Sequence, residues 1–364
     1  MKKTIVALAI AGLAASAGAS AANIYNNNGS TVDLTGRVKS TFTNGYDQNE
    51  SGASSNSQFD TSGRLGFDLT QKLNDQWSAL ASAQWDVVGQ RADNGKGFES
   101  RNIYAGFDGQ QYGKVTVGQN DGAYYTGVVA TTDIFNEFGD AANAVGERQQ
   151  GIMNYDNSFN GLGIHLSAGA SAKDATADAN TWVRYGVGNG TAVTTDQDRH
   201  NTFGGALDYT FDMKDAGALG LAAGYQSKTF NVGSTNPHQQ DWAMGVNYTW
   251  NGLYAAAMFN KSKFSYDGAN PDKEASGYEL ALSYTIEQWK LLTGYNKLRA
   301  DTGTVTGTGE RDFVNHAIME VQYNFTSNIL AYTSYKIAGK VNAGTESSTV
   351  DQDNQWITGL VYNF

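Results

Sequence analysis

Residues 120–148, NDGAYYTGVVATTDIFNEFGDAANAVGER, gather three acids, Asp133, Glu137 and Asp140, in one stretch. Carboxylates can serve as acid–base catalysts, metal ligands or fixed charges. The first two uses need companions that the sequence does not supply. His165, His200, His238 and His316 are scattered and lack zinc-ligand spacing. Gly161-Leu162-Gly163 and Tyr112-Gly113-Lys114 read as turn or strand features and fall short of a glycine-rich nucleotide signature. The Asp-rich loops do not follow calcium-loop spacing. No catalytic set, metal site or cofactor is therefore expected, and the acids are read as a fixed field. Their counter-charges are sought on strands. In Val32 to Thr43, Asp33, Thr35, Arg37 and Lys39 alternate with Val32, Leu34, Gly36 and Val38. In Ser62 to Leu69, Arg64 and Asp68 oppose Leu65, Phe67 and Leu69. Period two places Arg37 and Arg64 on the polar face of half-solvated strands.

The acidic stretch interrupts a long series of such alternating segments. A loop of this length without alternation is unusual in a compact domain and is often functional. Five strands are expected before it, within 32–43, 62–69, 76–90, 100–108 and 113–119. Eleven come after it, at 149–157, 162–170, 201–211, 218–230, 240–250, 253–265, 276–286, 289–299, 312–324, 329–338 and 355–364. Their connections alternate in length. Those at Lys72–Asp75, Gly109–Gln111 and Trp250–Gly252 are short, whereas 48–56, 171–200, 267–275, 300–311 and 339–354 are long. Tyr209 and Phe211, Tyr248 and Trp250, Tyr284, and Tyr323 and Phe325 end apolar bands near the short turns. Short inner turns, long outer loops and aromatic girdles fit a transmembrane β-barrel. Such a sheet must close, because an open edge in hydrocarbon leaves backbone groups unpaired. The expected fold is all-β, a 16-stranded antiparallel transmembrane β-barrel with an inward-folded constriction loop at about 120–148. A large soluble β-sandwich, or two, is the competing architecture.

The ends and composition agree with export. Lys2 and Lys3, an apolar run from Ile5 to Leu13 and Ala19-Ser20-Ala21 form a secretory signal peptide over residues 1–21, with the barrel in 22–364. The rest has no apolar run long enough for a helical span. The absence of cysteine excludes disulfide scaffolding. A formal charge of −11 argues against a nucleic-acid partner and favours cations near the protein.

Several motifs resemble one family. Ala22-Asn23-Ile24-Tyr25-Asn26 with Val32-Asp33-Leu34, then Arg64-Leu65-Gly66-Phe67, Tyr323-Asn324-Phe325, Tyr335-Lys336-Ile337 and the terminal Gly359-Leu360-Val361-Tyr362-Asn363-Phe364 are similar to the trimeric general porins of Gram-negative outer membranes, in their enterobacterial and vibrio-type branch. Thr132-Asp133-Ile134-Phe135-Asn136-Glu137-Phe138-Gly139-Asp140 resembles that family's acidic constriction motif, which usually has Pro before the Glu and two Gly after the Phe. Here Asn136 replaces the Pro and only Gly139 remains, so a differently bent tip is expected.

The resemblance implies that Asp133, Glu137 and Asp140 face Arg37, Arg64, Arg101 and Arg148 across a water-filled constriction. Lys39, Glu99 and Glu147 are possible further lumen charges, the two acids tilting the pore toward cations. Phe364 would be the barrel-assembly signal. It also implies a homotrimer in the outer membrane, in contact with lipid and lipopolysaccharide and inserted by barrel-assembly machinery. Small residues such as Gly63 and Gly106 would let neighbouring barrels approach. The expected function is passive, mildly cation-selective diffusion of ions and small hydrophilic solutes, without enzymatic activity. One rival is a substrate-selective sugar porin of the chitooligosaccharide type, with Tyr124, Tyr125, Phe135 and Phe138 as an aromatic slide. Others are a surface adhesin or structural barrel working through its acidic outer loops, and a soluble carbohydrate-binding sandwich.

Overall fold

The computed structural model describes residues 21–45, 57–88, 97–143, 148–172, 198–231, 236–265, 272–301, 310–342, 349–351 and 354–364. The expected signal segment, Glu147 and most of the long outer loops lie outside these residues. Nineteen strands are present among them: β1 Ala22–Asn27, β2 Ser30–Gly45, β3 Gln58–Lys72, β4 Ser78–Val88, β5 Phe98–Asp108, β6 Lys114–Asp121, β7 Arg148–Phe159, β8 Leu162–Gly169, β9 Asp198–Asp212 and β10 Ala218–Asn231. They continue as β11 His238–Trp250, β12 Leu253–Ser265, β13 Lys273–Ile286, β14 Trp289–Asp301, β15 Glu310–Asn324, β16 Ile329–Ala338, β17 Lys340–Asn342, β18 Thr349–Asp351 and β19 Gln355–Asn363.

Each strand from β2 to β16 pairs antiparallel with the next, and β16 pairs with β19. β19 then pairs with β2, which closes a ring of sixteen strands. The soluble-sandwich architecture is thereby set aside. β17 and β18 form a separate two-stranded ribbon. β1 is a strand that the sequence pattern does not predict. It pairs with β2 from Ala22↔Leu34 to Asn27↔Ser30, along the length of edge that β19 does not reach. At the seam the Gly36 N–H donates to the Phe364 carbonyl at 2.7 Å, and the Phe364 N–H returns to Gly36 at 2.9 Å. A Cβ on Gly36 would lie 2.6 Å from the Phe364 ring and 2.5 Å from the Arg64 carbonyl, so the seam needs the bare glycine.

The short turns have a local cause. Asn28-Gly29, Asn160-Gly161 and Asn251-Gly252 all take positive φ at both residues, 48° and 78°, 49° and 86°, 44° and 84°. These are the dihedrals of two-residue hairpins whose twist matches the strands, and Asn-Gly tolerates them best.

Alternation sorts the two faces. On β11, Trp242, Met244 and Val246 are exposed while Asp241, Ala243, Gly245 and Asn247 are buried. The exposed apolar series covers the outer wall, as expected where the solvent outside is lipid. Gly106 faces inward, because its flanking residues Ala105 and Phe107 are the exposed ones. Its expected place on a barrel–barrel contact is corrected accordingly.

Candidate functional site

The stretch after β6 folds onto the inner wall. It starts with a short helix, Ala123–Gly127, and a 3-10 turn, Val129–Thr131. Val128 and Val129 are fully buried with Tyr124, Ala206, Ala243 and Met258. The inward residues of β9–β12 are small there, so the loop can lie close. Gly224 meets Val128 closely enough that a Cβ would come within 2.9 Å. Tyr254 donates to the Thr131 carbonyl at 2.6 Å.

Two buried wall glutamates hold the acidic motif itself. Glu279 on β13 accepts from the Thr132 hydroxyl at 2.6 Å and from the Ala142 N–H at 2.9 Å, so one carboxylate ties both flanks of the motif. Glu320 on β15 accepts from the Asn136 N–H at 3.2 Å, the Asn136 side chain at 2.6 Å and the Ser334 hydroxyl. Proline at 136 would offer none of the Asn136 donors. The bend at the tip is carried by Phe138 and Asp140, with φ of 65° and 50°. Asp140 stands where the resembling motif has its second glycine, and Asp is among the few residues that enter this region readily. Asn296 and His316 donate to the Phe138 carbonyl at 3.1 and 3.0 Å.

Facing this loop is the basic wall. Arg37 and Arg64 are direct cross-strand partners, and Arg64 is opposite Asp86. Arg64 Nε donates to Asp86 Oδ1 at 3.0 Å, and Arg101 Nη1 to Asp86 Oδ2 at 2.8 Å. Arg101 also reaches Gln84 at 3.2 Å. Between Ala83↔Ile103 and Trp85↔Ser100 the register slips, so Arg101 and Asn102 oppose the single Gln84. This β-bulge turns two consecutive residues toward the lumen.

A cavity of ≈ 630 Å³ joins the two sides. Arg37, Arg64, Arg101 and Arg148 line it from the wall, and Tyr125, Asp133 and Phe135 from the loop. The Tyr125 hydroxyl donates to Asp133 at 2.6 Å. Glu137 does not line this cavity, but its charge still acts on Arg37 at the cavity's edge. It forms an ion pair with Lys39 and accepts from the Tyr332 hydroxyl. Lys39 also lies 5.7 Å from the centre of the Tyr332 ring. Asp140 is not among the residues lining the cavity. Glu99 is directly opposite Asp86, on the lumen face, and exposed.

The four candidate slide aromatics do not form one surface. Tyr124 is 1% exposed and belongs to the layer between loop and wall. Phe138 packs against Leu330, Tyr332, Ile357 and Val361, with Lys336 5.4 Å from its ring centre. Phe135 packs by Ile134 and Leu292 and covers Gly294, though its edge reaches the cavity. Only Tyr125 and Phe135 therefore line the cavity among the four.

Sequence reasoning missed Asp86, Gln84, Glu279, Glu320 and a cluster around His165. The His165 ring nitrogens lie 2.7 Å from Asp156 and 3.0 Å from Asp208, and His165 and Asp208 line the same cavity. Asp86 was accessible from alternation alone, since it shares the inward set of β4 with Gln84. Glu279 and Glu320 gave no sequence signal, because a buried anchor and a solvated lumen acid have the same spacing.

A closed sixteen-stranded barrel with a charged internal loop defines a diffusion channel of the outer membrane. The profile of the Gram-negative porin family matches residues 7–343, and the chain belongs to that family. It is 29% identical over 384 residues to outer membrane protein U of Vibrio parahaemolyticus, and 27% identical over 374 residues to the outer membrane porin PhoE of Enterobacter cloacae; both matches cover 100% of each chain. Its fold is similar to that of Salmonella typhi OmpF solved with daunomycin, with a TM-score of 0.73, 18% identity and coverage of 94% of this chain and 100% of the other. An anion-selective porin from Comamonas acidovorans gives a TM-score of 0.66 at 17% identity, covering 92% of this chain and 100% of the other. The protein is thus an outer-membrane porin that lets solutes pass passively.

Proposed function

We propose that the porin passes ions and small hydrophilic solutes with a mild preference for cations, through a constriction whose charge is split between loop and wall. The supporting observation is the shared cavity, with Asp133 on one side and Arg37, Arg64, Arg101 and Arg148 on the other. Fixed charges of opposite sign across a narrow aqueous gap make a transverse field. A dipolar or charged solute can align with it, whereas an apolar solute must disturb ordered water without compensation. Charge lining a pore sets ion preference. Asp86 removes much of the positive excess of Arg64 and Arg101, and Glu99 adds negative charge beside it. His165 sits between two aspartates, so that cluster stays net negative even with a charged imidazole. Water in the gap keeps the effective dielectric high, which limits the preference to a mild one.

In this reading the chain carries out no bond chemistry. It works as a homotrimer whose contact uses the outer face of β3 and β4, where Gly63, Ala81 and Ala83 point outward. Phe364 serves as the signal read by the barrel-assembly machinery, and residues 1–21 as the exported leader. The sugar-selective reading loses two of its four rings to packing, and Tyr125 and Phe135 alone make a short platform. Single-channel recording in planar bilayers tests the choice. Ohmic conductance without long blockades by micromolar chitooligosaccharide is expected; long, concentration-dependent blockades would establish the selective porin, and near-zero conductance the structural barrel.

A further inference from the structure

Gly161-Leu162-Gly163 runs from the β7–β8 turn into β8, and its two glycines have different causes. Gly161 takes the positive φ of the turn, whereas Gly163 does not. Gly163 is instead opposite Asp208 on β9. A Cβ on Gly163 would lie 2.0 Å from Asp208 Oδ2 and 2.6 Å from its carboxyl carbon. The bare glycine is a seat for that carboxylate, which lies over β8.

From this seat the carboxylate reaches His165, further along β8. His165 Nε2 is 3.0 Å from Asp208. Its Nδ1 is 2.7 Å from Asp156, the direct cross-strand partner of His165 on β7. A neutral imidazole carries one N–H and would set a lone pair against one of the two carboxylates, whereas an imidazolium donates from both nitrogens. The geometry is that of an imidazolium held between two carboxylates. The ring is closely fitted there. It is opposite Ala206, and a Cβ on Gly127, at the end of the loop helix, would come within 3.1 Å of its Cδ2.

The neighbouring charges fall unevenly around this ring. On β6, Lys114 is opposite Asp156, so that carboxylate has a second cation beside it. For Asp208 the cation in contact is His165. Asp208 lines the central cavity together with Asp121 and with Asp133 of the loop. His165 lines it too, so its charge stands among three carboxylates on one aqueous space.

We propose that His165 is an internal counter-ion that sets how the pore discriminates between monovalent and divalent cations. Hard divalent cations bind through several oxygens at once. Asp121, Asp133 and Asp208 offer such oxygens around one cavity, but the imidazolium already takes the contact with Asp208. It also repels a doubly charged ion twice as strongly as a singly charged one. Potassium or sodium therefore passes, while magnesium or calcium gains no foothold beside Asp208. The inference rests on the reading that ions cross this cavity, which the wild-type conductance in potassium chloride tests by itself.

The test records single-channel currents at neutral pH in potassium chloride while magnesium chloride is added. In His165→Asn the half-blocking magnesium concentration should be about tenfold below that of the wild type, with a much smaller change in potassium conductance. His165→Lys, which restores a cation at the same position, should match the wild type. His165→Asn/Asp208→Asn should also return to wild-type magnesium sensitivity, because the freed carboxylate is gone. A ring that only props the loop would alter potassium conductance and leave magnesium sensitivity unchanged. That result, or a gain in magnesium block that persists without Asp208, would overturn the assignment.

Discussion

Asp86 lies between Arg64 and Arg101 and gives one carboxylate oxygen to each, at 3.0 and 2.8 Å. Two of the arginines that face the loop are thus tied to an acid on their own wall. The side chains of Arg64 and Arg101 are only 20% and 19% exposed, while that of Asp86 remains 36% exposed. Replacing Asp86 by Asn should move ion preference toward anions. A unit charge about 4 Å from a passing ion contributes about 1 kcal/mol in water-like dielectric, and salt reduces this further. The permeability ratio should therefore change severalfold at most. Reversal potentials across a potassium chloride gradient check this, and an unmoved potential would mean that the carboxylate is already silent.

The tip of the loop depends on Asn136. Its N–H and its amide both reach Glu320, which is 2% exposed. Asn136→Pro removes both donors and leaves the Ser334 hydroxyl as the remaining donor of that set. Leaving a buried acceptor undersatisfied costs about 1–3 kcal/mol. Hydrogen exchange at Ile134 and Ala142 should accelerate by about tenfold or more, if that cost falls on local opening of the loop. Unchanged protection would show that Glu279 alone holds the segment.

The barrel was legible because alternation, turn chemistry and loop lengths agreed with one another. All sixteen wall strands fall where period two places them, and the Asn-Gly turns carry the dihedrals that such hairpins require. β1 escaped notice because Ala22–Asn27 is exposed along its whole length and shows no alternation in burial. The site was legible in part. Arg37 and Arg64 followed from alternation. Asp133 and Glu137 differ by position within the loop, and nothing local shows that Lys39 and Tyr332 capture one of them. Tyr124 and Tyr125 are adjacent, yet one is buried in the wall and the other lines the cavity. A helical turn separates such neighbours, and the helix is too short to leave a period in the sequence.

That adjacency gives a stability test. Tyr124→Ala should empty a fully packed site and destabilise the barrel by about 3–5 kcal/mol, the usual cost of removing a buried aromatic ring. Tyr125→Phe removes only the hydroxyl held by Asp133 and should leave stability nearly unchanged while altering conductance. Denaturant unfolding of both variants in detergent checks the contrast; comparable losses would place both rings in the packed layer.

Closure of the wall offers another. Gly36→Val puts atoms where the Arg64 carbonyl and the Phe364 ring already are. Overpacking of this kind costs about 1–3 kcal/mol or more, and here it acts on the strand pair that closes the ring. The folded fraction after refolding, read from the gel mobility of unheated samples, should fall clearly below that of the wild type. Equal yield would show that the seam can shift to accept a side chain.

Opposed charge across the cavity is tested most directly by neutralising each side in turn. The variant Asp133→Asn/Glu137→Gln and the variant Arg64→Gln/Arg101→Gln are compared with wild type by reversal potential in the same salt gradient. The loop variant should lose cation preference and the wall variant should gain it, so the two shifts have opposite sign. Shifts of the same sign, or none in the loop variant, would contradict a pore whose ion preference is set between Asp133 and the arginines facing it.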